Sequence, residues 1–170
     1  GAIQVCKKAG KRLEVMGGSR LNLKMGFRFT LSPKVGFHGM VGGEKKFNLL
    51  KGSRGLIFPV LWDEPFGLAI TESMYFGCPV FGTPYGALPE LVNENSGFLS
   101  SNSDDLVDAI KNVNFFNRKM ISQYAVDEFN SRKMALRYLA KYEKVLSGET
   151  LNQTKPVYLH QMHRSVYKFD

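Results

Sequence analysis

The stretch "RGLIFPVLWDEPFGLAITESMYFGCPVFGTP", residues 54–84, decides how the chain folds. Its opening part, RGLIFPV, is a nearly continuous apolar run of strand length, the mark of a strand buried on both faces. From Gly67 to Gly77 the pattern changes. Ile70 and Met74 stand four residues apart, as on the inward stripe of a helix. CPVFGTP then reads as a second buried strand. Between the first strand and the helix lies the loop Leu61 to Gly67. It carries Glu64, and a second acid, Glu72, follows inside the helix.

Working outward, the same alternation continues in both directions. Upstream, AIQVCKKAG reads as a helix stopped at Gly10, KRLEVMGG as a short strand, KVGFHGMV as another strand, and GGEKKFNLLKGS as a helix with Phe47, Leu49 and Leu50 inward. The basic stretch SRLNLKMGFRFTLSP reads mostly as loop. Downstream come a short helix (ALPELVN), a last strand (SGFLSS) and three helices. Ser103 is the expected cap of the first of these. The last, SRKMALRYLAKYEKVL, puts Met134, Tyr138, Tyr142 and Val145 on one stripe, and Gly148 ends it. Alternating strands and helices imply an α/β fold with a parallel sheet and helices on both faces. Residues 1–147 form the expected domain and 148–170 a polar tail that docks on something.

The chain has 170 residues, of which 44% are hydrophobic and 22% charged, enough for one domain with a sizeable core. No apolar stretch approaches the ~20 residues that span a bilayer, and the opening residues do not read as a signal peptide. Cys6 and Cys78 are the only cysteines and sit far apart, which argues against a zinc site or a disulfide framework. A reducing, cytoplasmic setting is expected. The net charge of +8 is uneven, because residues 1–54 hold twelve Lys and Arg against two acids. An anionic partner on that side is one reading, and a solvated basic face is the other.

In open α/β sheets, ligands bind outside the carboxyl ends of the strands. The loop carrying Glu64 occupies such a place. The N–H groups of Phe66, Gly67 and Leu68 at the helix start form a site for an anion, and Gly67 permits close approach. Glu72 lies roughly 7–8 Å further along the helix axis. Like charge disfavours phosphate at either acid, but each can accept hydrogen bonds from hydroxyls on the two sides of a diphosphate. A nucleoside-diphosphate sugar has that layout. The competing reading makes Glu64 a helix N-terminal cap or dipole partner and Glu72 a solvated surface acid.

"FPVLWDEPFGLAITESMYFGCPVFGTPYGALPELV" resembles the signature region of the retaining glycosyltransferases built from two Rossmann-like domains, the GT-B type, in the glycogen-synthase and sucrose-synthase-like group. The matching features are Glu64, Phe66, Gly67, Leu68 and Glu72, the Gly77-Cys78-Pro79-Val80 strand start, and the turn of Gly86, Pro89 and Glu90. The resemblance extends over about residues 1–147. It implies one half of a GT-B fold, the donor-binding half of an enzyme of carbohydrate biosynthesis. Glu64 is then the catalytic residue, placed against the donor sugar hydroxyls near the anomeric carbon. Glu72 holds the ribose hydroxyls, and the N–H groups of Gly67 and Leu68 bind the diphosphate. Met40, Val41 and Lys46 line the base, while Gly17 and Gly18 shape the floor.

By the same resemblance no metal or other cofactor is needed, because the helix dipole and basic side chains stabilise the leaving diphosphate. The expected partners are a nucleotide sugar and an amino-terminal acceptor domain absent from these residues. An anionic membrane surface is a further partner that the group uses, and no nucleic acid is expected. The group's Arg and Lys pair, which clamps the diphosphate, precedes the helix that opens this sequence and is absent from it.

Other residues carry weaker signals. His160 and His163 stand three apart in the tail but have no accompanying carboxylate or cysteine. Asp104 and Asp105 read as helix N-terminal charges, and His38 as a packed or capping histidine. Trp62 is either a wall of the sugar pocket or a cover for the sheet end. The alternative function is a basic module of the same fold that binds nucleic acid or an anionic lipid surface without catalysis. For it, Phe27 and Phe29 interleave with Lys24, Arg28 and Lys34.

Overall fold

The computed structural model describes residues 1–22, 28–152, 154 and 155. Helix α1 (Ala2–Lys8) leads through Gly10, at φ +70°, into strand β1 (Leu13–Val15). Strand β4 (Val35–Phe37) runs parallel to β1, with Leu13 opposite Val35 and Val15 opposite Phe37. Between them, SRLNLKMGFRFTLSP is not all loop. It carries β2 (Leu21–Asn22) and β3 (Arg28–Phe29), an antiparallel pair. Helix α2 (Gly43–Gly52) follows, and then the parallel three-stranded sheet β5 (Leu56–Phe58), β6 (Val80–Gly82) and β7 (Gly97–Leu99). Helices α3 (Leu68–Tyr75) and α4 (Leu88–Leu91) make the crossovers between these strands. The chain continues with α5 (Ser103–Lys111), a 3₁₀ turn (Val113–Phe115), α6 (Arg118–Glu128) and α7 (Ser131–Leu146).

The expected alternation is present, with a core on each face of the three-stranded sheet. Strand side chains alternate between faces, and β6 shows the consequence directly. Val80 packs with Ile70, Met74, Leu88, Leu91, Ile121 and Ala125 under α3, α4 and α6. Its neighbour Phe81 packs with Val5, Ala9, Leu106, Val107 and Ile110 under α1 and α5. Ile70, Met74, Val80 and Phe81 are essentially sealed from water, each such burial contributing about 1.5–3 kcal/mol.

Among the described residues the parallel strands hydrogen-bond in two pieces. β1 pairs with β4, β5 pairs with β6, and β1 and β5 are not hydrogen-bonded to each other. RGLIFPV does meet a core on each face, Leu56 and Phe58 on one and Ile57 on the other, but its edge away from β6 has no hydrogen-bonded strand among the described residues. Leu56, Ile57 and Phe58 are each half-buried, whereas β6, with a neighbour on either side, is buried throughout.

Smaller expectations are adjusted too. Asn102 rather than Ser103 caps α5, its side-chain oxygen accepting from the Asp104 N–H at 2.9 Å; Ser103 is the first helical residue and is buried. Asn117 and Asn130 cap α6 and α7 in the same way. Asp104 and Asp105 do lie in the first turn of α5. On α2, Leu50 is buried but Phe47 is 41% exposed, its ring 5.7 Å from Phe76. The stripe of α7 faces outward, with Met134, Tyr138, Tyr142 and Val145 all more than half exposed. His160, His163, Lys24 and Phe27 lie outside the described residues, as do the side chains of Arg28 and Phe29. Among the described residues, no helix is long and apolar enough to cross a membrane.

Candidate functional site

The ten residues singled out in the sequence lie in or beside the segments that follow β1, β4 and β5. Gly17 and Gly18 follow β1, and Met40 and Val41 follow β4. The Gly17 N–H donates to the Gly39 carbonyl at 2.6 Å, which draws these two loops together. A Cβ on Gly17 would lie 3.7 Å from the Met40 sulfur. Met40 itself is 93% exposed, so it lines an open face and not a closed pocket.

The loop after β5 is held from three directions. Thr83, buried at the end of β6, donates through its hydroxyl to the Val60 carbonyl at 2.5 Å. The Ala87 N–H donates to the Glu64 carbonyl at 2.8 Å. Gly86 packs flat against the same peptide: a Cβ there would stand 2.2 Å from the Glu64 nitrogen. Its φ of +60° is a second reason for glycine. The backbone of Glu64 is therefore fixed, and its side chain is directed as well. The Trp62 indole N–H donates to Glu64 Oε2 at 3.0 Å. Trp62 is 57% exposed, and this bond orients the carboxylate.

Gly67 is the N-cap of α3 at φ +83°, ψ +70°, a left-handed conformation that glycine adopts freely. It has no side chain to satisfy the free N–H groups, and a Cβ would collide with Ile70 Cδ1 at 2.7 Å. The Ile70 N–H returns to the Gly67 carbonyl. Among the described residues, the N–H groups of Gly67 and Leu68 have no acceptor, as at any helix start without a side-chain cap. Phe66 stands beside this opening, its ring edge-on to Phe129 at 6.3 Å. Leu68 is 71% exposed.

Glu72 and Lys46, placed on different parts of the ligand by the sequence, form a pair. Lys46 Nζ lies 2.7 Å from Glu72 Oε1, tying α2 to α3. The ammonium also sits 5.6 Å from the Phe47 ring centroid. Two cavities accompany the site. One of about 610 Å³ touches Glu72, with Phe47, Tyr75, Phe76 and Phe129 around it. The other, of about 460 Å³, lies between β1 and β5 and touches none of the ten.

His38, expected as a packed or capping histidine, pairs with a carboxylate: its Nε2 is 2.6 Å from Glu14 Oε2. With Arg12 on the other carboxylate oxygen at 2.5 Å, the Glu14 carboxyl is held below the usual carboxylate range, the His38 hydrogen bond being the larger cause. The basic first third is partly consumed in such roles. Lys8 pairs with Asp104, Arg12 with Glu14, and Arg20 donates to the carbonyls of Thr30, Ser32 and Val35. That weakens the reading of a free basic face for nucleic acid or lipid. Among the described residues, no three His, Cys, Asp or Glu side chains come together as a metal site.

The sequence reading missed the parts played by Trp62, Thr83, Gly86 and Ala87. Only Trp62, two residues from Glu64, was within reach of a local pattern; the others meet the loop across the sheet.

Residues 2–113 match the family model described as Glycosyl transferases group 1. None of the curated proteins matches the sequence. Among solved structures, the chain is similar to AviGT4, a glycosyltransferase involved in avilamycin A biosynthesis, at a TM-score of 0.66 and 22% identity over 86% of this chain and 47% of that one. It is also similar to the sucrose-phosphate synthase of Thermosynechococcus elongatus, at a TM-score of 0.58 and 24% identity over 70% of this chain and 32% of that one. The chain thus spans about half the length of the first and a third of the second. At these identities the likeness establishes the fold, a Rossmann-like half of the GT-B arrangement.

Proposed function

The chain belongs to the glycosyl transferases group 1, and from that premise we propose that it is the donor-binding half of a retaining glycosyltransferase. The donor is a nucleoside-diphosphate sugar, and a second domain holds the acceptor. The observation that carries the proposal is the start of α3: a left-handed Gly67 leaves backbone N–H groups open between two carboxylates, Glu64 and Glu72. The diphosphate docks on the N–H groups of Gly67 and Leu68, where the helix dipole favours negative charge. Glu72 accepts the ribose hydroxyls. Glu64, held by Trp62, accepts sugar hydroxyls beside the anomeric carbon. Phe66 edges the pocket, and the base lies toward Met40, Val41 and Lys46 over the floor of Gly17 and Gly18.

In the reaction, the bond from the anomeric carbon to the diphosphate oxygen breaks. The acceptor oxygen bonds to the same face, and its proton leaves with the diphosphate. The leaving charge is met by helix N–H groups and basic side chains, so the reading assigns no metal and no cofactor. Residues 1–147 are the nucleotide-binding domain of this reading, 148–170 its tail, and the setting is the cytoplasm, with an anionic membrane surface as a further contact.

The test is a calorimetric titration of the chain with UDP, GDP and ADP without magnesium. One of the three should bind weakly, since the facing domain is not supplied. Glu72→Ala should cost that complex about 1.5–3 kcal/mol, the worth of a charged hydrogen-bond acceptor. Absence of binding by all three, or full affinity in the variant, would overturn the assignment.

A further inference from the structure

We infer that Arg118 is a positioning residue for the donor site: its guanidinium fixes helix α2 against helix α3 and so holds Lys46 and Glu72 together. The inference rests on the proposed reading of Glu72 as the acceptor of the ribose hydroxyls. Arg118 is the first residue of α6. Its Nη1 donates to the Ser53 carbonyl at 2.5 Å, and its Nη2 to the carbonyls of Phe76 at 3.0 Å and Lys51 at 3.4 Å. Lys51 and Ser53 stand at the end of α2, and Phe76 at the end of α3. The last carbonyls of a helix have no N–H of their own helix to accept from, and they carry the negative end of its dipole. One planar fork of donors therefore meets the ends of both helices, a geometry that a guanidinium offers and an ammonium does not.

The core holds these two helices unequally. Helix α3 buries Ile70, Ser73 and Met74. It is also tied to α6 by the Ser122 hydroxyl, which donates to the Tyr75 carbonyl at 2.7 Å. Gly77 lies flush against the start of α6: a Cβ there would stand 2.6 Å from the Arg118 carbonyl oxygen. Helix α2 buries only Leu50. The Lys46–Glu72 pair is open to water at both ends, and such a pair contributes little to the placing of two helices. The Cys78 thiol donates toward the carbonyls of Leu50 and Ser53 at 3.5 and 3.3 Å, but a thiol is a weak donor. Among the described residues, the strongest polar tie of the α2 end to the body of the domain is the charge-assisted one from Arg118.

Position and charge agree with this role. Lys46 comes five residues before Lys51 and Glu72 four before Phe76. The pair therefore stands roughly 6–8 Å up the two helix axes from the guanidinium. A change in the angle of α2 moves the Lys46 ammonium relative to Glu72. A cation in the first turn of its own helix opposes that helix's dipole, and α6 has no acid in its first turn to offset it. Local preference does not place an arginine here; its gain is made on α2 and α3.

The test is made on the full chain with Arg118→Lys, which keeps the charge and loses the fork. Residual dipolar couplings should give a changed orientation of α2 relative to α3, with α5 and β6 oriented as in the parent. Whichever of UDP, GDP and ADP the parent binds is then titrated, followed by chemical shifts, beside its 2′,3′-dideoxy form. The ribose form should bind the variant about fivefold or more weakly, a part of what a charged acceptor is worth, and the dideoxy form should bind both chains within about twofold. Arg118→Gln, which keeps two N–H donors and no charge, should move both readouts in the same direction. A role confined to folding would weaken the two forms equally; that result, or an unchanged orientation of α2, would overturn the inference. Binding of none of the three diphosphates by the parent would defeat the transferase reading instead, and the couplings alone then decide the role of Arg118.

Discussion

Lys46 Nζ sits 2.7 Å from Glu72 Oε1 and joins the second helix to the third. The two side chains are 26% and 44% exposed, so water weakens their attraction. Pairs of this kind contribute about 0–1 kcal/mol to folding. The contact matters more for where it holds the carboxylate. Lys46→Ala should leave the melting temperature within about 3 °C of the parent, because so little stability is at stake. It should nonetheless weaken nucleoside-diphosphate binding, since Glu72 loses its fixed orientation. Scanning fluorimetry and calorimetry on the same preparation check the two halves; equal affinity in parent and variant would remove Lys46 from the site.

Gly86→Ala should be among the most damaging small substitutions. The new Cβ would stand 2.2 Å from the Glu64 nitrogen and 2.5 Å from its carbonyl oxygen, and φ is +60°. Backbone cannot retreat as a side chain tip can, so we expect a loss of at least about 2 kcal/mol in urea unfolding. Gly148→Ala is the matching control. It has a similar φ of +82° but nothing within 4 Å, and should cost about 1 kcal/mol.

Cys6 is sealed in the core, and burial pushes its thiol up to about 11. Burial raises Cys78 as well. At pH 8 the folded chain should therefore react with a disulfide reagent at least about a hundredfold more slowly than the urea-unfolded chain, since the thiolate is the nucleophile. The sign of the linkage is fixed: the folded state holds the Cys6 proton more tightly, so its contribution is complete below the ordinary thiol range. That contribution is lost as pH rises from about 9 toward about 11. Stopped-flow absorbance with and without urea measures the reactivity. Fast labelling of both thiols in the native chain would contradict the packing of α1.

Glu14 works in the opposite sense. His38 and Arg12 hold its carboxyl below the ordinary range, so the folded state releases that proton more readily than the unfolded one. Its contribution is present above the ordinary carboxylate range and is lost as pH falls through the depressed folded value. Glu14→Gln should flatten the acid limb of the stability curve and leave pH values above 7 changed by about 1 kcal/mol or less. Urea midpoints collected from pH 3 to pH 8 decide it.

Glu64→Gln separates binding from chemistry. In a complete two-domain protein it should spare nucleoside-diphosphate affinity and abolish sugar transfer, because the residue faces the sugar in the proposed geometry. In the proposed reading the 170-residue chain alone should transfer no sugar, since positioning of the acceptor, which can supply roughly 7–11 kcal/mol of barrier reduction, is assigned to a second domain. Radiolabelled donor assays on both proteins test this, and turnover by the chain alone would require an acceptor site within it.

The sequence alone determined most of the series of elements, because they depend on short-range chemistry. Ile70 and Met74 mark an inward helix face by their spacing, and Gly67 marks a helix start because few other residues adopt its backbone angles. The resemblance of the Glu64 to Glu72 segment likewise rested on residues close in the chain. Only the tertiary structure decided what crosses from one element to another. RGLIFPV has the composition of a doubly buried strand, yet composition does not say which neighbour is present, and Leu56 to Phe58 pair on one side only. The stripe from Met134 to Val145 has helical spacing, yet spacing does not say whether anything covers it, and it stands exposed. Lys46 meets Glu72 across 26 residues of sequence, and Gly86 fits against Glu64 across the sheet. Such contacts have no local signature, because they are set by how the helices and strands pack.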